Sequence, residues 1–283
     1  MSSIRALAAR VAAPPGRILV VTDFDGTIAE IDLDPMGAVI EPLARRALRR
    51  LARFSEAHPE RLSVAILTGR ALIDIGPRVR VGGLRYVGNH GLETFWLARR
   101  GRVEQLVAGG SIGLTEGPAA RLGRHVAAAL GEPDWLFVEL KGPSVGFHFR
   151  QAPDWVEAGQ RVGQAVENGL AGSTELERFD GRLNVELRPA GAGGKRAAMA
   201  RLLDEFQPSS VLLMGDDRGD AEGFSVVRAA RADGRLADAL NVGVHDRVAT
   251  PPEVLAAADV MLSSPRDAAR LLSALATLLE RPG

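Results

Sequence analysis

The stretch ILVVTDFDGT, residues 18–27, decides the fold. It begins with a continuous apolar run, which is typical of a strand buried on both faces of a parallel sheet. The acidic residues Asp23 and Asp25 come directly after that run and so lie at its carboxyl end. Open parallel sheets bind their ligands at this edge. The stretch therefore predicts an α/β fold with a polar site after its first strand.

Further strand and helix patterns extend this prediction along the chain. The predicted strands are Ile18–Thr22, Leu62–Thr68, Val211–Met214, Ala239–Val244 and the weaker Asp259–Leu262; the predicted helices between and after them are Pro42–Phe54, Gly194–Phe206 and Asp267–Leu279. Pro42–Phe54 carries an apolar stripe with arginines opposite. Strands that alternate with helices predict a Rossmann-like, doubly wound parallel sheet.

The middle of the chain has a different pattern. Several runs alternate apolar and polar residues, which indicates an antiparallel sheet with one solvent-exposed face. The predicted strands are Glu93–Leu97, Arg102–Val107, Trp135–Leu140, Ser144–Arg150, Glu175–Phe179 and Leu183–Arg188, with helices Pro118–Leu130 and Asp154–Gly169. We expect residues 92–188 to form an inserted α+β cap domain, and residues 1–91 and 189–283 to form the core domain.

Composition limits the classes of function. The 283 residues contain 35 Lys plus Arg and 35 Asp plus Glu, so the net charge is zero and no global field favours nucleic acid or an anionic membrane. Cysteine is absent, which excludes disulfides and thiolate chemistry. No signal peptide or membrane-spanning run is evident, so we expect a cytoplasmic protein that binds neither nucleic acid nor membrane. A monomer is plausible.

The Asp-x-Asp pair after the first strand has the residues for phosphoryl transfer. A carboxylate such as Asp23 can attack phosphorus and form an aspartyl phosphate. Asp25 can protonate the leaving oxygen and then deprotonate water. The alternative is an ordinary strand end with an Asx-turn, which is common for a single Asp-Gly.

A second acidic cluster, Gly215–Asp220, follows the strand Val211–Met214. Asp216, Asp217 and Asp220 would repel one another unless a cation compensates their charge. Hard oxygen ligands suit Mg²⁺, so we expect a magnesium site formed by Asp23, by the backbone carbonyl of Asp25 and by these three residues. The alternative is a helix N-cap with acidic first-turn residues.

Two more positions complete the predicted site. The Thr68 hydroxyl and the backbone N–H groups near Gly69 are placed to hold a phosphoryl oxygen. Lys195 begins a helix after a glycine-rich run and can offset negative charge on the phosphoryl group. Arg70 is a further candidate to contact phosphate or the cap. Taken alone, each of these has an ordinary structural interpretation.

These clusters, in this order, resemble the motifs of the haloacid dehalogenase superfamily of phosphotransferases. Asp23–Thr27 is similar to its first motif, Thr68 to its second, Lys195 to its third and Gly215–Asp220 to its fourth. The resemblance implies a Mg²⁺-dependent phosphatase and identifies the insertion as a substrate-specifying cap.

Within the superfamily, the chain resembles the trehalose-6-phosphate phosphatases over most of its length. The residues that carry this resemblance are Asp23–Ile31, Leu67–Arg70, Val87–Glu93, Val138–Ser144, His148–Arg150, Val185–Pro189 and Gly215–Asp220. Gly219 departs from the family's usual threonine in the fourth motif. Ala192–Gly194 departs from the aromatic or acidic residues that usually precede the lysine of the third motif.

The resemblance also implies sugar-binding residues. Glu139 and Lys141, two apart on one strand, and Glu186 on another are the residues that would bind the sugar. Asn89 and His90 would lie where core and cap join. Charged residues on the wet face of a sheet are the alternative interpretation. Other functions remain open: a phosphatase of sucrose phosphate or a glycosyl phosphoglycerate, a phosphomutase, or a non-catalytic sugar-binding module.

Overall fold

A computed structural model describes residues 3–102, 105, 117–181, 183–245 and 250–281. The described residues fall into two compact units. The larger unit comprises those within Met1–Ile31, Ala38–Gly110 and Gly193–Gly283, and the smaller unit comprises those within Asp32–Gly37 and Ser111–Ala192.

The elements are numbered in chain order. The strands are β1 Ile18–Thr22, β2 Leu62–Leu67, β3 Leu84–Gly88, β4 Glu93–Leu97, β5 Phe137–Lys141, β6 Ser144–His148, β7 Leu176–Gly181, β8 Asn184–Pro189, β9 Ser210–Gly215, β10 Asp238–Val244 and β11 Val260–Leu262. The helices are α1 Ile4–Ala12, α2 Pro42–Ala57, α3 Leu72–Val79, α4 Pro118–Ala129, α5 Trp155–Leu170, α6 Gly194–Phe206, α7 Arg218–Ala232, α8 Pro252–Ala257 and α9 Pro265–Leu279, with a 3₁₀ turn at Asn89–Gly91.

The larger unit is built on a seven-stranded sheet with the order β11-β10-β9-β1-β2-β3-β4. All neighbours pair in parallel except β3 and β4. Alternate residues of β1 enter different cores: Val20 packs with α1, α2 and α9, whereas Leu19 and Val21 pack with α6 and α7. Helices on both faces explain the continuous apolar runs. The predicted doubly wound α/β fold is confirmed.

The smaller unit has a four-stranded antiparallel sheet with the order β5-β6-β8-β7. One face, with Val145, Phe147 and Leu187, packs against α4 and α5 to form a separate core. Since side chains alternate along a strand, the intervening residues of β5, β6 and β8 share the opposite face. This face carries the charged residues considered below.

One sequence prediction differs from the structure, and another falls mostly on residues that the structure does not describe. Glu93–Leu97, predicted within the inserted domain, is β4 and pairs with β3 in the large sheet, from Leu84↔Leu97 to Gly88↔Glu93. The 3₁₀ turn at Asn89–Gly91 reverses the chain and makes this pairing local. The predicted strand Arg102–Val107 falls mostly outside the described residues. The division into core and cap domains at residues 92 and 188 stays a prediction.

Candidate active site

Strand β1 places Asp23 at the carboxyl edge of the sheet. The Asp23 N–H donates to the Met214 carbonyl oxygen at 3.0 Å, and the Asp23 residue is only 4% exposed. The chain then turns, with the N–H groups of Thr27 and Ile28 both donating to the Phe24 carbonyl oxygen.

Gly26 makes this turn possible. It has a φ of +70°, and a Cβ at this position would collide with the carboxylate of Asp216. A side chain there would be strained and would push against that carboxylate. The turn after β1 and the loop after β9 are therefore held in close contact.

Lys195 connects three carboxylates. Its buried Nζ lies 2.8 Å from Asp220 Oδ1, 3.2 Å from Asp23 Oδ2 and 3.3 Å from Asp217 Oδ1. Helix α6 begins at Gly194, and its first turn directs Lys195 into this cluster with 1% exposure. Burial lowers the pKa of Lys195, but the charges of Asp217, Asp220 and Asp23 outweigh it and raise that pKa above its ordinary value.

The acidic cluster Asp216–Asp220 also begins helix α7. Asp217 is the N-cap, and its Oδ1 accepts from the Asp220 N–H at 2.8 Å. Asp220 Oδ2 in turn accepts the N–H groups of Asp216 and Asp217, at 3.0 and 3.1 Å. This capping box fixes the carboxylates by backbone hydrogen bonds. The capping and functional interpretations of this cluster are thus compatible.

Asp25 and Arg70 form a bidentate ion pair. Arg70 Nε donates to Asp25 Oδ2 at 2.6 Å, and Nη2 donates to Oδ1 at 2.7 Å. Arg70 Nη1 also donates to Asp74 Oδ2 at 2.5 Å. Burial lowers the pKa of Arg70, but the charges of Asp25 and Asp74 overcome this effect and raise it. Arg70, predicted to contact phosphate or the cap, here binds the carboxylate predicted to be the acid and base.

The loops after β2 and β3 pack on one another. The buried Thr68 accepts the His90 N–H on its carbonyl oxygen at 3.0 Å, and the Asn89 N–H donates to the Arg70 carbonyl oxygen at 2.7 Å. Asn89 and His90 have left-handed φ values of 49° and 54°, an uncommon conformation for such residues. A Cβ at Gly69 would strike the imidazole of His90. These backbone contacts hold the second and third loops of the site together.

Asp23, the predicted nucleophile, has a strongly perturbed pKa. Burial raises its pKa and Lys195 lowers it, while the charges of Asp217, Asp216 and Asp25 raise it again, to about 8. Its second oxygen, Oδ1, is buried and accepts no hydrogen bond from the described residues. A buried carboxylate oxygen without a donor costs free energy unless a cation or ligand group satisfies it.

The donor set fits a hard divalent cation. One carboxylate oxygen from each of Asp23, Asp217 and Asp220 lies within 4.8 Å of the others, but Lys195 already occupies that arrangement. Asp23 Oδ1 and the buried carboxylate of Asp216, whose Oδ1 also accepts the Thr27 hydroxyl at 3.3 Å, supply further hard oxygen ligands for a metal ion. Both carboxylate oxygens of Asp25 contact Arg70, and its contact with the metal, through the backbone carbonyl oxygen, stays a prediction.

The smaller unit contains a second cluster of charges, on the sheet face away from its helices. Glu186 is 1% exposed and ion-paired with Lys141 on one side and Arg188 on the other, where Arg188 Nη2 lies 2.7 Å from Glu186 Oε2. Glu139 Oε2 lies 2.9 Å from His148 Nε2. The predicted residues Glu139, Lys141 and Glu186 therefore share one face with two charged or titratable residues that were not predicted.

Arg188 and His148 carry a signal in the sequence that could have identified them. Arg188 lies two residues after Glu186, and His148 lies two residues after the position that pairs with Glu139. Side chains two apart on a strand share a face, so both residues lie on the same sheet face as the predicted ones. Arg188 also stacks on Phe179 at 3.8 Å from the ring centroid. Burial lowers the pKa of His148, although the contact with Glu139 opposes this effect.

Comparisons with known proteins give the class and then the family. The fold matches a phosphatase of the haloacid dehalogenase superfamily from Bacteroides thetaiotaomicron, with a TM-score of 0.51, 14% identity, and coverage of 91% of this chain and 95% of that one. It also matches the C-terminal domain of trehalose-6-phosphate phosphatase from C. albicans, with a TM-score of 0.74, 20% identity and 96% coverage of both chains. The chain thus has the haloacid dehalogenase fold.

The family follows from sequence. The model of the trehalose-phosphatase family matches residues 21–250, so the chain belongs to that family. The trehalose-phosphate phosphatase of Mycobacterium bovis is 33% identical over 216 residues, which cover 74% of this chain and 51% of that protein. A much longer protein of Mycobacterium tuberculosis, described as an uncharacterized glycosyl hydrolase, is 34% identical over 226 residues, 75% of this chain and 15% of that one. The chain therefore spans about half the length of the curated trehalose-phosphate phosphatases that it matches, or less.

Proposed function

We propose that this protein is a Mg²⁺-dependent phosphatase that hydrolyses trehalose 6-phosphate to trehalose and phosphate through an aspartyl phosphate on Asp23. The observation that carries the proposal is the buried Asp23 carboxylate, whose Oδ2 contacts Lys195 and whose Oδ1 accepts no hydrogen bond from the described residues. One oxygen is thus oriented and the other is left for reaction or for a metal ion. Membership of the trehalose-phosphatase family supports the choice of substrate.

The first step forms the covalent intermediate. An oxygen of the Asp23 carboxylate attacks phosphorus, the bond from phosphorus to the sugar oxygen breaks, and Asp25 gives its proton to that oxygen. Lys195 reduces the electrostatic repulsion between the Asp23 carboxylate and the negatively charged phosphoryl group as they approach. The Thr68 hydroxyl is the further group that we assign to a phosphoryl oxygen.

The second step releases phosphate. Asp25 takes a proton from water, the water oxygen attacks phosphorus, and the Asp23 carboxylate leaves. The bidentate contact with Arg70 favours the ionised form of Asp25, which is the form that this step requires. In the first step Asp25 must instead carry a proton, so we propose that its contact with Arg70 is broken when substrate binds.

Asp23 and Asp216 are the residues that we assign to Mg²⁺, and Asp217 and Asp220 mainly position Lys195. When bound, the metal would act as a Lewis acid that withdraws negative charge from the phosphoryl oxygens. The unpaired Asp23 Oδ1 and the excess of carboxylates over the single ammonium of Lys195 support this assignment.

Sugar recognition is assigned to the charged face of the smaller unit, which we propose is the cap domain. Glu139, Lys141 and Glu186 present charged hydrogen-bonding groups, which suit the hydroxyl groups of a disaccharide. The ion pair between Lys141 and Glu186 and the contact of Glu139 with His148 fix these side chains before the sugar arrives.

The test is phosphate release from a panel of substrates. Trehalose 6-phosphate, sucrose phosphate, a glycosyl phosphoglycerate and p-nitrophenyl phosphate are assayed in Mg²⁺ and in EDTA. We expect the highest kcat/KM for trehalose 6-phosphate, no turnover in EDTA, and loss of turnover in Asp23→Asn but not in the exposed control Asp204→Asn. A preference for another sugar phosphate would correct the substrate. An active Asp23→Asn variant would refute the mechanism, and isomerised sugar phosphate without free phosphate would indicate a mutase.

The described part of the chain contains no helix with the length and apolar character needed to cross a bilayer. We propose that the protein acts in the cytoplasm as a monomer. Size-exclusion chromatography with light scattering tests the oligomeric state, and a mass of two or more chains would contradict it.

A further inference from the structure

A cavity of about 530 Å³ in the larger unit is lined mainly by arginine side chains. These are Arg46, Arg49, Arg50, Arg53, Arg80 and Arg99. The first four lie on one face of α2, at spacings of three and four residues, while Arg80 follows α3 and Arg99 follows β4. Three separate segments of the chain thus direct guanidinium groups into one concavity, which has the size of a small-molecule site.

Most of these guanidinium groups form no ion pair with the residues that the structure describes. Arg50 pairs with Glu280 at 2.6 Å, and Arg99 pairs with Glu56. Among the residues that the structure describes, Arg46, Arg49 and Arg53 have no ion pair within 4 Å and no side-chain hydrogen bond. The hydrogen bond from Arg50 lowers the pKa of Glu280, and the charge of Arg53 still helps to lower it. The neighbouring Arg45 is repelled by these charges: burial and then the charges of Arg49 and Arg80 lower the pKa of Arg45. Because the net charge of the chain is zero, this excess is local.

The cavity lies at the opposite edge of the sheet from the candidate active site. Arg80 precedes the first residue of β3, Leu84, and Arg99 follows the last residue of the antiparallel β4, Leu97, which pairs with Leu84. Both positions are therefore at the amino edge, whereas Asp23 follows the carboxyl end of β1. A strand of five residues separates the two edges by about 16 Å, so a ligand in the cavity is independent of the catalytic residues.

We infer that this cavity binds a small anion that carries two or three linked phosphate groups. The guanidinium fork matches the geometry of phosphate oxygens and stays charged at every physiological pH. Arg46 to Arg53 rise by about 10 Å along the helix, which would cover only about three nucleotides of one nucleic acid strand. Sites that follow single strands contact about 4–16 nucleotides, so the arginine cavity fits a compact ligand better than a polymer.

The experiment measures binding by isothermal titration calorimetry in 150 mM salt. EDTA is added because it removes divalent cations and so prevents phosphate release from the probes. The probes are inorganic tripolyphosphate, ATP, AMP and orthophosphate, with a twelve-nucleotide single-stranded DNA as the polymer. We expect tripolyphosphate and ATP to bind at least about tenfold more tightly than AMP and orthophosphate, because several charge-assisted contacts form at once. Comparison of tripolyphosphate with ATP distinguishes a polyphosphate from a nucleotide.

The variant Arg46→Gln/Arg49→Gln/Arg53→Gln removes three arginine charges of α2 that form no ion pair with the described residues. It should fold at least as stably as the parent, because like charges three and four residues apart destabilise a helix. We expect it to bind tripolyphosphate at least about tenfold more weakly, with phosphate release from trehalose 6-phosphate unchanged. The control Arg5→Gln/Arg235→Gln/Arg266→Gln removes three exposed charges elsewhere and should bind like the parent.

Three results would overturn the inference. They are equal binding by the parent and the α2 variant, equal losses in the α2 variant and the control, and tighter binding of the DNA than of tripolyphosphate. The second would indicate general charge attraction, and the third would indicate a nucleic acid surface. None of them bears on phosphatase activity, so this inference can fail while the proposed function holds.

Discussion

Replacement of Lys195 by Met tests whether one ammonium holds the candidate active site together. The Nζ atom lies within 3.3 Å of carboxylate oxygens of Asp23, Asp217 and Asp220, and it is almost completely buried. Methionine has a similar length and no charge. Loss of one partner from a buried charge cluster costs about 3–5 kcal/mol of unfolding free energy. At about 2 °C per kcal/mol for a chain of this size, the unfolding midpoint in EDTA at pH 8 should fall by about 6–10 °C.

The pH dependence of the stability lost in Lys195→Met tests the same electrostatic argument. Burial raises the pKa of Asp23 to about 8 even though Lys195 opposes the rise. A carboxyl whose pKa is higher in the folded state stabilises the fold at low pH, and this contribution is lost as pH rises from about 4 through about 8. Without Lys195 the carboxyls hold their protons more strongly. The deficit of Lys195→Met should therefore be small at pH 5 and larger at pH 9.

The assay is thermal unfolding followed by circular dichroism at pH 5, 7 and 9, in EDTA and in Mg²⁺. Mg²⁺ should recover part of the deficit, because it compensates the same carboxylates. Lys141→Met is the matched control: it removes the other lysine, which is also buried but contacts Glu186, and its deficit should not respond to Mg²⁺. A deficit below about 1 kcal/mol, or one that is equal at pH 5 and pH 9, would refute the argument, since a removed buried charge costs more than this.

Three further changes test other parts of the structure. Arg188→Lys keeps the charge but loses the two-bond contact with Glu186, so KM for trehalose 6-phosphate should rise about tenfold while kcat is nearly unchanged. Acidification from pH 7.5 to 5 should destabilise the smaller unit, because burial lowers the pKa of His148 and its protonation favours the unfolded chain. Gly26→Ala should lower the unfolding midpoint and abolish phosphate release, since its φ is +70° and the new Cβ has no room. Gly131→Ala, at a φ of +76° in open space, should cost only the backbone strain of about 1 kcal/mol.

Each of these predictions has a contradicting outcome. Turnover of p-nitrophenyl phosphate separates sugar recognition from chemistry, so an equal loss for both substrates in Arg188→Lys would exclude a role in sugar binding. His148→Gln should reduce the loss of stability on acidification, and an unchanged slope would assign that loss to other groups. Equal destabilisation by Gly26→Ala and Gly131→Ala would show that strain, and not the contact with Asp216, accounts for the effect.

The sequence predicted best what depends on local pattern. The apolar runs before Asp23 and before Asp216 predicted two parallel strands, and these strands are adjacent in the sheet. Since the carboxyl ends of adjacent parallel strands meet, residues far apart in the chain were correctly expected to converge. Lys195 was harder to predict, because a lysine that begins a helix is usually exposed. Only its combination with three other motifs distinguished it.

Other features depend on long-range geometry and had no local signal. The pattern of Glu93–Leu97 fits an antiparallel strand in either sheet, and only its pairing with β3 decides between them. Helix α3 contains Pro77, which argues against a helix when the sequence is read alone. The Arg70–Asp25 pair joins residues 45 positions apart. The arginines of α2 had the pattern of an ordinary solvated face, and their convergence with Arg80 and Arg99 required the folded chain.

The burial of Lys141 and Lys195 has a consequence for how the protein can be modified. They are the only two lysines in the sequence, and in both the side chain is at most 4% exposed and ion-paired. Arginine supplies all the other positive side chains, and it does not react with acylating reagents as an amine does. Acetylation or amine-directed crosslinking through lysine must therefore wait until one of the two buried clusters opens. The rate at which each lysine becomes labelled would measure, residue by residue, how often the candidate active site and the charged face of the smaller unit are exposed to solvent.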